Sequence, residues 1–345
     1  MATTSLPIAL DAMGGDHAPA EIVRGAVQVA RADHLSICLV GDRDHIRAEL
    51  ARLGATTPAG ISIEHTSELI GMHEHPARAL RARPQASLPL AVGMVRDGRA
   101  AAAVSAGNSG AIMAAGIFAL KRQPGIDRPA FGGAVPTRKG PAFLIDMGAN
   151  AECKPGYLLQ FAHMGAVYMR LAHGVERPRV GLISIGEEEG KGTPLTLAAY
   201  DLLKQSGLNF IGNIEGNHIM SGDVDVVVCD GFTGNVILKT MEGTAGAIVD
   251  LLRAQLRSSL RAKLGAALAM PALRALGKQL DYAEYGGVPV LGVNGVLINC
   301  HGRSRARAIA QALRLADRMA RQDLVGAIGA ELAAAAVTAS AATAE

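Results

Sequence analysis

The sequence predicts an α/β protein with a largely parallel sheet, and three observations support this prediction. Short runs rich in Val, Ile, Leu and Ala alternate with longer stretches of helical periodicity, which is the pattern of strand–helix–strand units. Nearly every short run ends in a polar loop that contains glycine. Hydrophobic residues make up 49% of the 345 residues and charged residues 19%, so the chain can bury a large core.

The elements follow one another along the chain without a visible repeat. The predicted strands are Pro7–Asp11, Ser36–Val40, Ile61–Glu64, Ala101–Ser105, Ala142–Asp146, Val180–Ile185, Asn209–Ile214, Val224–Cys229 and Val296–Asn299. The predicted helices are Ala20–Ala32, Asp44–Leu53, Leu88–Asp97, Ser109–Leu120, Tyr157–His173, Leu195–Gln205, a long helix from Asn235, and Ser304–Arg321.

The domain organisation is predicted to be simple. No linker rich in Pro, Gly or Ser divides the chain, so residues 1–325 are predicted to form a single α/β catalytic unit. An amphipathic helical hairpin at about 245–281 is predicted to protrude from it. Residues 326–345 are rich in alanine, lack an apolar stripe and are predicted to fray as a C-terminal tail.

The composition argues against several classes of protein. Aromatic residues are 3% of the chain, Trp is absent and the formal charge is +3, which disfavours nucleic-acid binding. The four cysteines form no C-x-x-C pair, so free thiols in a reducing cytoplasm are predicted. Neither a signal peptide nor a spanning helix is expected, because the start lacks a basic region and the longest apolar run, around Ala111–Leu120, is shorter than roughly 18 residues.

The polar loops after the predicted strands contain the residues that indicate function. In chain order they read DAMGGDHAP, SAGNSGA, DMGAN, SIGEEEGKG, IEGNH, CDGFTGN and CHGRS. Because the carboxyl ends of parallel strands line the ligand crevice, these loops are expected to gather at one edge of the sheet. Glycine permits close backbone approach, and Asp, Asn, Ser and Lys supply hydrogen bonds and charge.

The segment Ser105–Gly110 follows a predicted strand and opens a helix. The first amides of that helix, together with the helix dipole, suit an anion such as phosphate. An ordinary helix N-cap by Asn108 or Ser109 explains the same residues equally well.

Motifs for binding a nucleotide, a dinucleotide or a metal are incomplete or absent in the sequence. The segment GEEEGKG is one residue shorter than a P-loop and has Gly192 where a P-loop requires Ser or Thr. No G-x-G-x-x-G follows a strand, and the aspartates of DAMGGDHAP and the histidines of GMHEHP lack a diagnostic metal-ligand spacing. Neither a cofactor nor a metal is therefore expected.

The run IALDAMGGDHAP, from Ile8 to Pro19, closely resembles the N-terminal signature of the acyl-acyl carrier protein:phosphate acyltransferases, the PlsX family. The likeness continues in family order through SAGNSGA, DMGAN, GEEEGKG, DGFTGNVILK, YGGVPVLGVNG and the HG at 301–302. It spans the chain from Pro7 to about Leu315, and several motifs in register are more specific than any single loop.

The resemblance implies a three-layer α/β/α fold, like that of isocitrate and isopropylmalate dehydrogenases and of phosphotransacetylase, and a homodimer. It implies transfer of a fatty acyl group from acyl carrier protein to inorganic phosphate. The acyl phosphate would then be consumed by a membrane-bound glycerol-3-phosphate acyltransferase in phospholipid synthesis. It also implies a cytoplasmic protein associated peripherally with the inner face of the cell membrane.

Inorganic phosphate is already a nucleophile near neutral pH, so this reaction needs positioning and oxyanion stabilisation rather than a Ser–His pair. The candidate phosphate-binding residues are Gly14, Gly15, Asp16, His17, Gly107, Asn108, Ser109 and Gly110. The candidate catalytic residues are Lys191 and Lys239 for charge neutralisation, Asn235 and His301 as oxyanion donors, and Asp11, Asp146 and Asp230 for orienting those donors or as a base. Asx turns that cap loops would explain the same aspartates.

The hairpin region combines apolar and basic residues. From Ile248 apolar residues recur at every fourth position as far as Leu264, with arginines between them, and a turn is predicted at Met270-Pro271 within the apolar tip GAALAMPAL. The residues predicted to contact an anionic membrane or the acidic carrier protein are Arg257, Arg261, Lys263, Leu268, Met270 and Arg274. A dimer-packing hairpin with a solvated arginine face is the alternative.

Two other functions remain open at the level of the sequence. A short-chain phosphotransacetylase would share the acyl-phosphate chemistry but would use coenzyme A. A non-catalytic membrane-surface scaffold that binds acyl carrier protein would need no phosphate-sized set of glycine loops, so those loops argue against it.

Overall fold

The computed structural model describes residues 6–54, 59–280 and 286–342. Over these residues the strands are β1 (Ile8–Asp11), β2 (Ile37–Gly41), β3 (Ile61–His65), β4 (Ala102–Ser105), β5 (Ala130–Thr137), β6 (Gly140–Ile145), β7 (Val180–Ile183), β8 (Phe210–Ile214), β9 (Val226–Val228), β10 (Val288–Leu291) and β11 (Val296–Asn299). The helices are α1 (Ala20–Ala32), α2 (Arg43–Arg52), α3 (Pro76–Ala82), α4 (Ser87–Arg96), α5 (Ser109–Ala115), α6 (Pro155–His173), α7 (Pro194–Lys204), α8 (Gly231–Arg257), α9 (Leu260–Leu280), α10 (Ala306–Arg321) and α11 (Leu324–Ala342). A π-helical turn at Gly116–Leu120 continues α5, and a 3₁₀ turn spans Gly216–Met220.

The strands form one sheet in the order β3-β2-β1-β4-β11-β10-β5-β6-β9-β7-β8. The five strands from β3 to β11 run parallel to one another, and so do the four from β6 to β8. Between these halves, β10 and β5 pair antiparallel with each other and with their outer neighbours. The two parallel halves consequently run in opposite directions.

Helices cover both faces of the sheet. On one face, buried side chains of the strands pack against α1, α2, α6, α7, α10 and α11, with Phe143 stacked on Tyr168 at a centroid distance of 4.0 Å. On the other face, the strands pack against α3, α4, α5 and the first turns of α8. The prediction of an α/β protein with a largely parallel sheet in three layers is therefore confirmed.

The nine predicted strands all occur, but β5 and β10 were not predicted. Their sequences, AFGGAVPT and VPVL, contain glycine or proline, which normally weaken or end a strand. Packing favours glycine in β5, because a Cβ on Gly132 would lie 2.4 Å from the ring of Phe143. Tertiary contacts that local sequence patterns do not contain therefore determine this strand.

The turn of the predicted hairpin lies elsewhere than expected. Helix α8 ends at Arg257 and α9 begins at Leu260, so the turn is Ser258-Ser259, and the prediction of a turn at Met270-Pro271 is wrong. Pro271 lies inside α9, where it removes one backbone donor without ending the helix. The serines end one helix and start the next, since the Ser258 hydroxyl donates to the carbonyl of Gln255 and the Ser259 hydroxyl accepts from the amide of Ala262.

The alanine-rich C-terminal segment is helical rather than frayed as far as it is described. Leu324 and Ile328 of α11 are buried against the core. Glu331 of the same helix accepts from Arg170 at 2.6 Å and lies 3.0 Å from the Nδ1 atom of His163, and both partners belong to α6. Over residues 6–54, 59–280 and 286–342, no helix has the length and apolarity needed to cross a bilayer.

Candidate active site

A cleft of about 420 Å³ opens where the two halves of the sheet meet. Its walls come from the loop after β4 with the start of α5, from β5 and β10, from the loop after β6, from α8 and from the loop after β11. Loops that follow strands of opposite direction therefore share one cleft. The expectation that the glycine loops gather at a single edge needs this correction, because β10 and β5 reverse the direction of the sheet.

The cleft brings together part of the predicted site. The predicted residues that line it are Gly107, Asn108, Ser109, Gly110, Asn235, Lys239 and His301. Gly14, Gly15, Asp16 and His17 belong to the loop after β1, which packs against the backbone of Ala106, Gly107 and Gly302. These two groups of residues are therefore adjacent, with the second supporting the first.

Asp11 links the loop after β1 to the loop after β4. Its carboxylate accepts from the hydroxyl of Ser105 at 2.7 Å, and that hydroxyl accepts from the amide of Gly107 at 3.0 Å. Burial raises the pKa of Asp11, while hydrogen bonds from Ser87, Ser105 and the loop amides oppose the rise. Gly14 must be glycine here, because a Cβ would lie 2.5 Å from the Asp11 carboxylate.

Asn108 is fully engaged within the protein. Its Oδ1 atom accepts from the amide of Ala111 at 3.1 Å and caps α5. Its Nδ2 atom donates to the carbonyls of Met72 at 2.9 Å and Glu74 at 3.0 Å. Both amide hydrogens are thus used, so the side chain itself holds the loop at residues 72–74 against the start of α5.

Asp146 and Asp230 organise the loops after β6 and β9. The buried carboxylate of Asp146 accepts five hydrogen bonds, from the amides of residues 131, 148, 149 and 150 and from the side chain of Asn150, at 2.8–3.1 Å. Burial raises its pKa, and these hydrogen bonds oppose the rise. Asp230 caps α8 by accepting from the amide and the hydroxyl of Thr233 at 2.9 and 2.7 Å. These contacts are those of loop and helix capping, and the orienting role of the two aspartates stays a prediction.

Three further side chains of the cleft, on α8 and on the loop after β11, supply charge and donors. Asn235 is exposed on α8, and its amide atoms lie 3.5–3.6 Å from a Cβ placed on Gly148. Lys239, one turn further along α8, pairs with Glu242 at 2.8 Å. Burial and the neighbouring Lys239 ammonium hold the pKa of His301 below its usual 6.5.

The tautomer of His301 follows from its backbone contact. Its Nδ1 atom accepts from the amide of Arg303 at 3.1 Å, so the proton of the neutral imidazole resides on Nε2. His301 can therefore present an N–H donor at neutral pH.

Lys191 lies on the loop after β7 and is not among the residues that line the cleft. The loop is tied down by its glutamates: Glu187 lies 3.2 Å from His218, and Glu189 accepts from Tyr200 at 2.9 Å and from Lys204 at 3.0 Å. Glu187 and Glu189 thus attach the loop to neighbouring residues, and Lys191 is exposed on its surface.

Sequence reasoning missed several residues of the cleft. Asn299 ends β11 and donates to the hydroxyl of Ser109 at 3.0 Å. Its position could have been predicted, because polar residues at the carboxyl ends of strands were used to choose the other site residues. The apolar lining includes Met72, Phe131, Met147, Leu238 and Val288. No local signal marks these residues, since they resemble ordinary core positions. Within the described parts of the chain, His, Cys, Asp and Glu do not form a group of three that could hold a metal ion.

Comparison with known proteins gives a consistent result. A family model described as a fatty acid synthesis protein matches residues 6–326. The phosphate acyltransferase of Heliobacterium modesticaldum is 53% identical over 321 residues, which cover 93% of this chain and 96% of that protein. The phosphate acyltransferase of Pelotomaculum thermopropionicum is 52% identical over 311 residues, which cover 90% of each chain.

Two solved structures share the fold at low identity. A phosphotransacetylase from Streptococcus pyogenes has a TM-score of 0.63 and 15% identity, over 92% of this chain and 94% of that one. A 4-hydroxythreonine-4-phosphate dehydrogenase from Klebsiella pneumoniae has a TM-score of 0.55 and 14% identity, over 93% and 99%. At these identities the likeness concerns the fold alone.

Proposed function

The chain belongs to the fatty acid synthesis protein family and is an acyltransferase; from that premise we propose that it moves a fatty acyl group from acyl carrier protein to inorganic phosphate. The product is an acyl phosphate for phosphatidic acid and phospholipid synthesis. The observation that carries the proposal is the meeting of the first amides of α5, the Lys239 ammonium and the neutral His301 in one cleft.

In the proposed reaction an oxygen of hydrogen phosphate attacks the carbonyl carbon of the thioester. A tetrahedral oxyanion forms, the C–S bond breaks and the C–O bond of the acyl phosphate remains. The thiol of the carrier leaves with the proton of hydrogen phosphate. Phosphate is nucleophilic without activation, so the protein contributes mainly by positioning and by stabilising the oxyanion.

The proposed roles are divided among the predicted residues. The amides of Ser109 and Gly110 bind phosphate at the start of α5, within the cradle of residues 14–17 and 107–110, and Lys239 neutralises its charge. The Nε2–H of His301 and the amide of Asn235 donate to the oxyanion. Lys191, on the loop after β7, is proposed as a second cation for charge neutralisation. Asp11, Asp146 and Asp230 orient these groups through the loops that they hold.

The proposed reaction is tested by measuring thiol release from palmitoyl-acyl carrier protein, palmitoyl-coenzyme A and acetyl-coenzyme A, each with and without phosphate. The acyl phosphate is trapped with hydroxylamine. We expect phosphate-dependent release that is fastest with palmitoyl-acyl carrier protein. Preference for acetyl-coenzyme A would instead identify a short-chain phosphotransacetylase. Release that does not depend on phosphate would contradict the proposed acceptor.

The hairpin is proposed to bring the enzyme to the inner face of the cell membrane, from the cytoplasm. Leu260, Leu264 and Leu268 recur at every fourth position of α9 and are 78%, 69% and 87% exposed. The cations Arg261 and Lys263 of α9 and Arg257 at the end of α8 are exposed as well. An apolar stripe flanked by cations is typical of helices that lie on anionic membranes. Such contact would deliver acyl phosphate to a membrane glycerol-3-phosphate acyltransferase; a homodimer that packs through part of the hairpin is also proposed.

A further inference from the structure

The loop GMHEHP, at residues 71–76, has no role in the reaction described above, yet it forms part of the cleft. Met72 lines the cleft beside His301 and Gly302. A Cβ placed on Gly302 would lie 2.6 Å from the terminal methyl of Met72, so this methyl packs directly on the glycine that follows His301. The loop therefore supplies an apolar surface next to a proposed oxyanion donor.

This loop is held in place by several hydrogen bonds. Glu74 accepts from the amide of Gly71 at 2.7 Å and pairs with Arg83, whose guanidinium also donates to the carbonyl of Leu69 at 2.6 Å. Asn108 adds its two donations to the carbonyls of Met72 and Glu74. The Asn108 contacts are the ones that tie the loop to the start of α5 and hence to the cleft.

We propose that Asn108 is a positioning residue that holds Met72 against the acyl chain of the donor, next to the reacting carbonyl. This inference rests on the proposed function. Because the Met72 methyl packs on Gly302, the residue after His301, a thioester carbonyl bound at the Nε2–H of His301 would bring the groups on its carbon next to Met72. A methylene chain suits this apolar surface better than the carrier's pantetheine arm, whose amides would lose hydrogen bonds there.

The variants Asn108→Ser and Met72→Ala test the proposal. Serine keeps the cap on α5, because its hydroxyl can accept from the amide of Ala111, but it removes both donations to the loop. Met72→Ala removes the apolar surface itself. His73→Ala is the matched control, since His73 is an exposed side chain on the same loop.

We expect Asn108→Ser and Met72→Ala each to lower kcat/KM for palmitoyl-acyl carrier protein by about 10-fold, as loss of a small apolar contact does in other pockets. The KM for phosphate should stay within about 2-fold, and His73→Ala should match the wild type. The double variant should be little worse than either single variant, because both remove the same contact. The loss should be smaller with an acetyl donor on the same carrier, which has no chain to contact Met72.

Three kinetic results would overturn the proposal. A larger effect on phosphate than on the acyl donor would show that the Asn108 side chain supports phosphate binding rather than the contact of Met72 with the acyl chain. Additive losses in the double variant would separate Asn108 from Met72. Equal losses with acetyl and palmitoyl donors would place Met72 against the pantetheine arm. Calorimetric binding of palmitoyl-acyl carrier protein without phosphate gives a separate readout. Weaker binding by both variants supports the contact between Met72 and the acyl chain even if the wild type fails to use phosphate. Unchanged binding contradicts that contact.

Discussion

At the scale of single residues, the charge state of His301 depends on the neighbouring Lys239. Burial and Lys239 disfavour the imidazolium, so the pKa of His301 lies below 6.5, and protonation would also set an Nδ1–H against the amide of Arg303. Because the folded-state pKa is depressed, this residue's contribution to stability is present above about pH 6.5 and is lost as the pH falls through the folded-state pKa.

We expect Lys239→Met to raise the pKa of His301. The substitution removes a cation and leaves Glu242 without its partner, and both changes favour the imidazolium. A pH titration of the histidine ring signals by NMR measures the shift. Lys204→Met is the control, because Lys204 lies on α7 and pairs with Glu189 on the loop after β7. A pKa that falls or stays constant in Lys239→Met would show that Lys239 does not act on His301.

Because Asp146 accepts five hydrogen bonds, we expect its substitution to lower the free energy of unfolding much more than substitution of Asp230. Asp146→Asn replaces an acceptor-only group by one that turns an NH₂ toward backbone donors, so we expect a loss of about 3 kcal/mol or more in the free energy of unfolding. Asp230→Asn should cost no more than about 1 kcal/mol, since asparagine caps helices as well as aspartate. Urea unfolding of the two variants measures both values. Equal losses would mean that the Asp146 contacts add little to stability.

At the scale of elements, the hairpin now has a defined geometry. Its turn is Ser258-Ser259, so Leu268 and Met270 lie along α9 rather than at the tip, while Leu260 and Leu264 lie nearer the turn. The periodicity of apolar residues predicted the two helices. The boundary between them lies at the two serines, however, and not at Pro271. A proline removes one hydrogen bond, whereas paired serines offer the backbone alternative partners at both helix ends.

We expect Leu264→Glu combined with Leu268→Glu to release the protein from vesicles rich in phosphatidylglycerol and to leave acyl transfer in solution unchanged. Each glutamate removes apolar contact and adds repulsion from the anionic surface. Vesicle co-sedimentation measures binding, which should also weaken with added salt. Leu202→Glu, on an exposed position of α7, is the matched control. A double variant that dissociates a dimer yet still sediments with vesicles would identify the stripe as a subunit contact.

At the scale of the whole molecule, the sequence predicted the parallel strands and the loops that follow them, but not their relative placement. The predicted strands are continuous apolar runs, which are typical of buried parallel strands. The two strands that reverse the sheet carry Gly132, Gly133 and two prolines, Pro136 and Pro289, so their pattern resembles loops. Because the reversal was not predictable, neither was a cleft at the junction of the halves. Phe131 of β5 and Val288 of β10 line the cleft only because of that junction.

The two neighbouring glycines of β5 allow the junction itself to be tested, since successive residues of a strand face opposite sides of the sheet. A Cβ on Gly132 would lie 2.4 Å from the buried ring of Phe143, on the face covered by α6, whereas a Cβ on Gly133 would lie 2.8 Å from the sulfur of Met147, beside the cleft. We expect Gly132→Ala to destabilise the protein by about 1–3 kcal/mol, because the ring is confined on all sides. Gly133→Ala should cost less, since methionine adapts, but it should narrow the cleft and raise the KM for the acyl donor. Urea unfolding and steady-state kinetics on both variants measure these effects. A Gly133→Ala enzyme with unchanged KM would mean that the cleft over β5 does not hold substrate, and one destabilised as much as Gly132→Ala would mean that Met147 does not adapt to the added methyl.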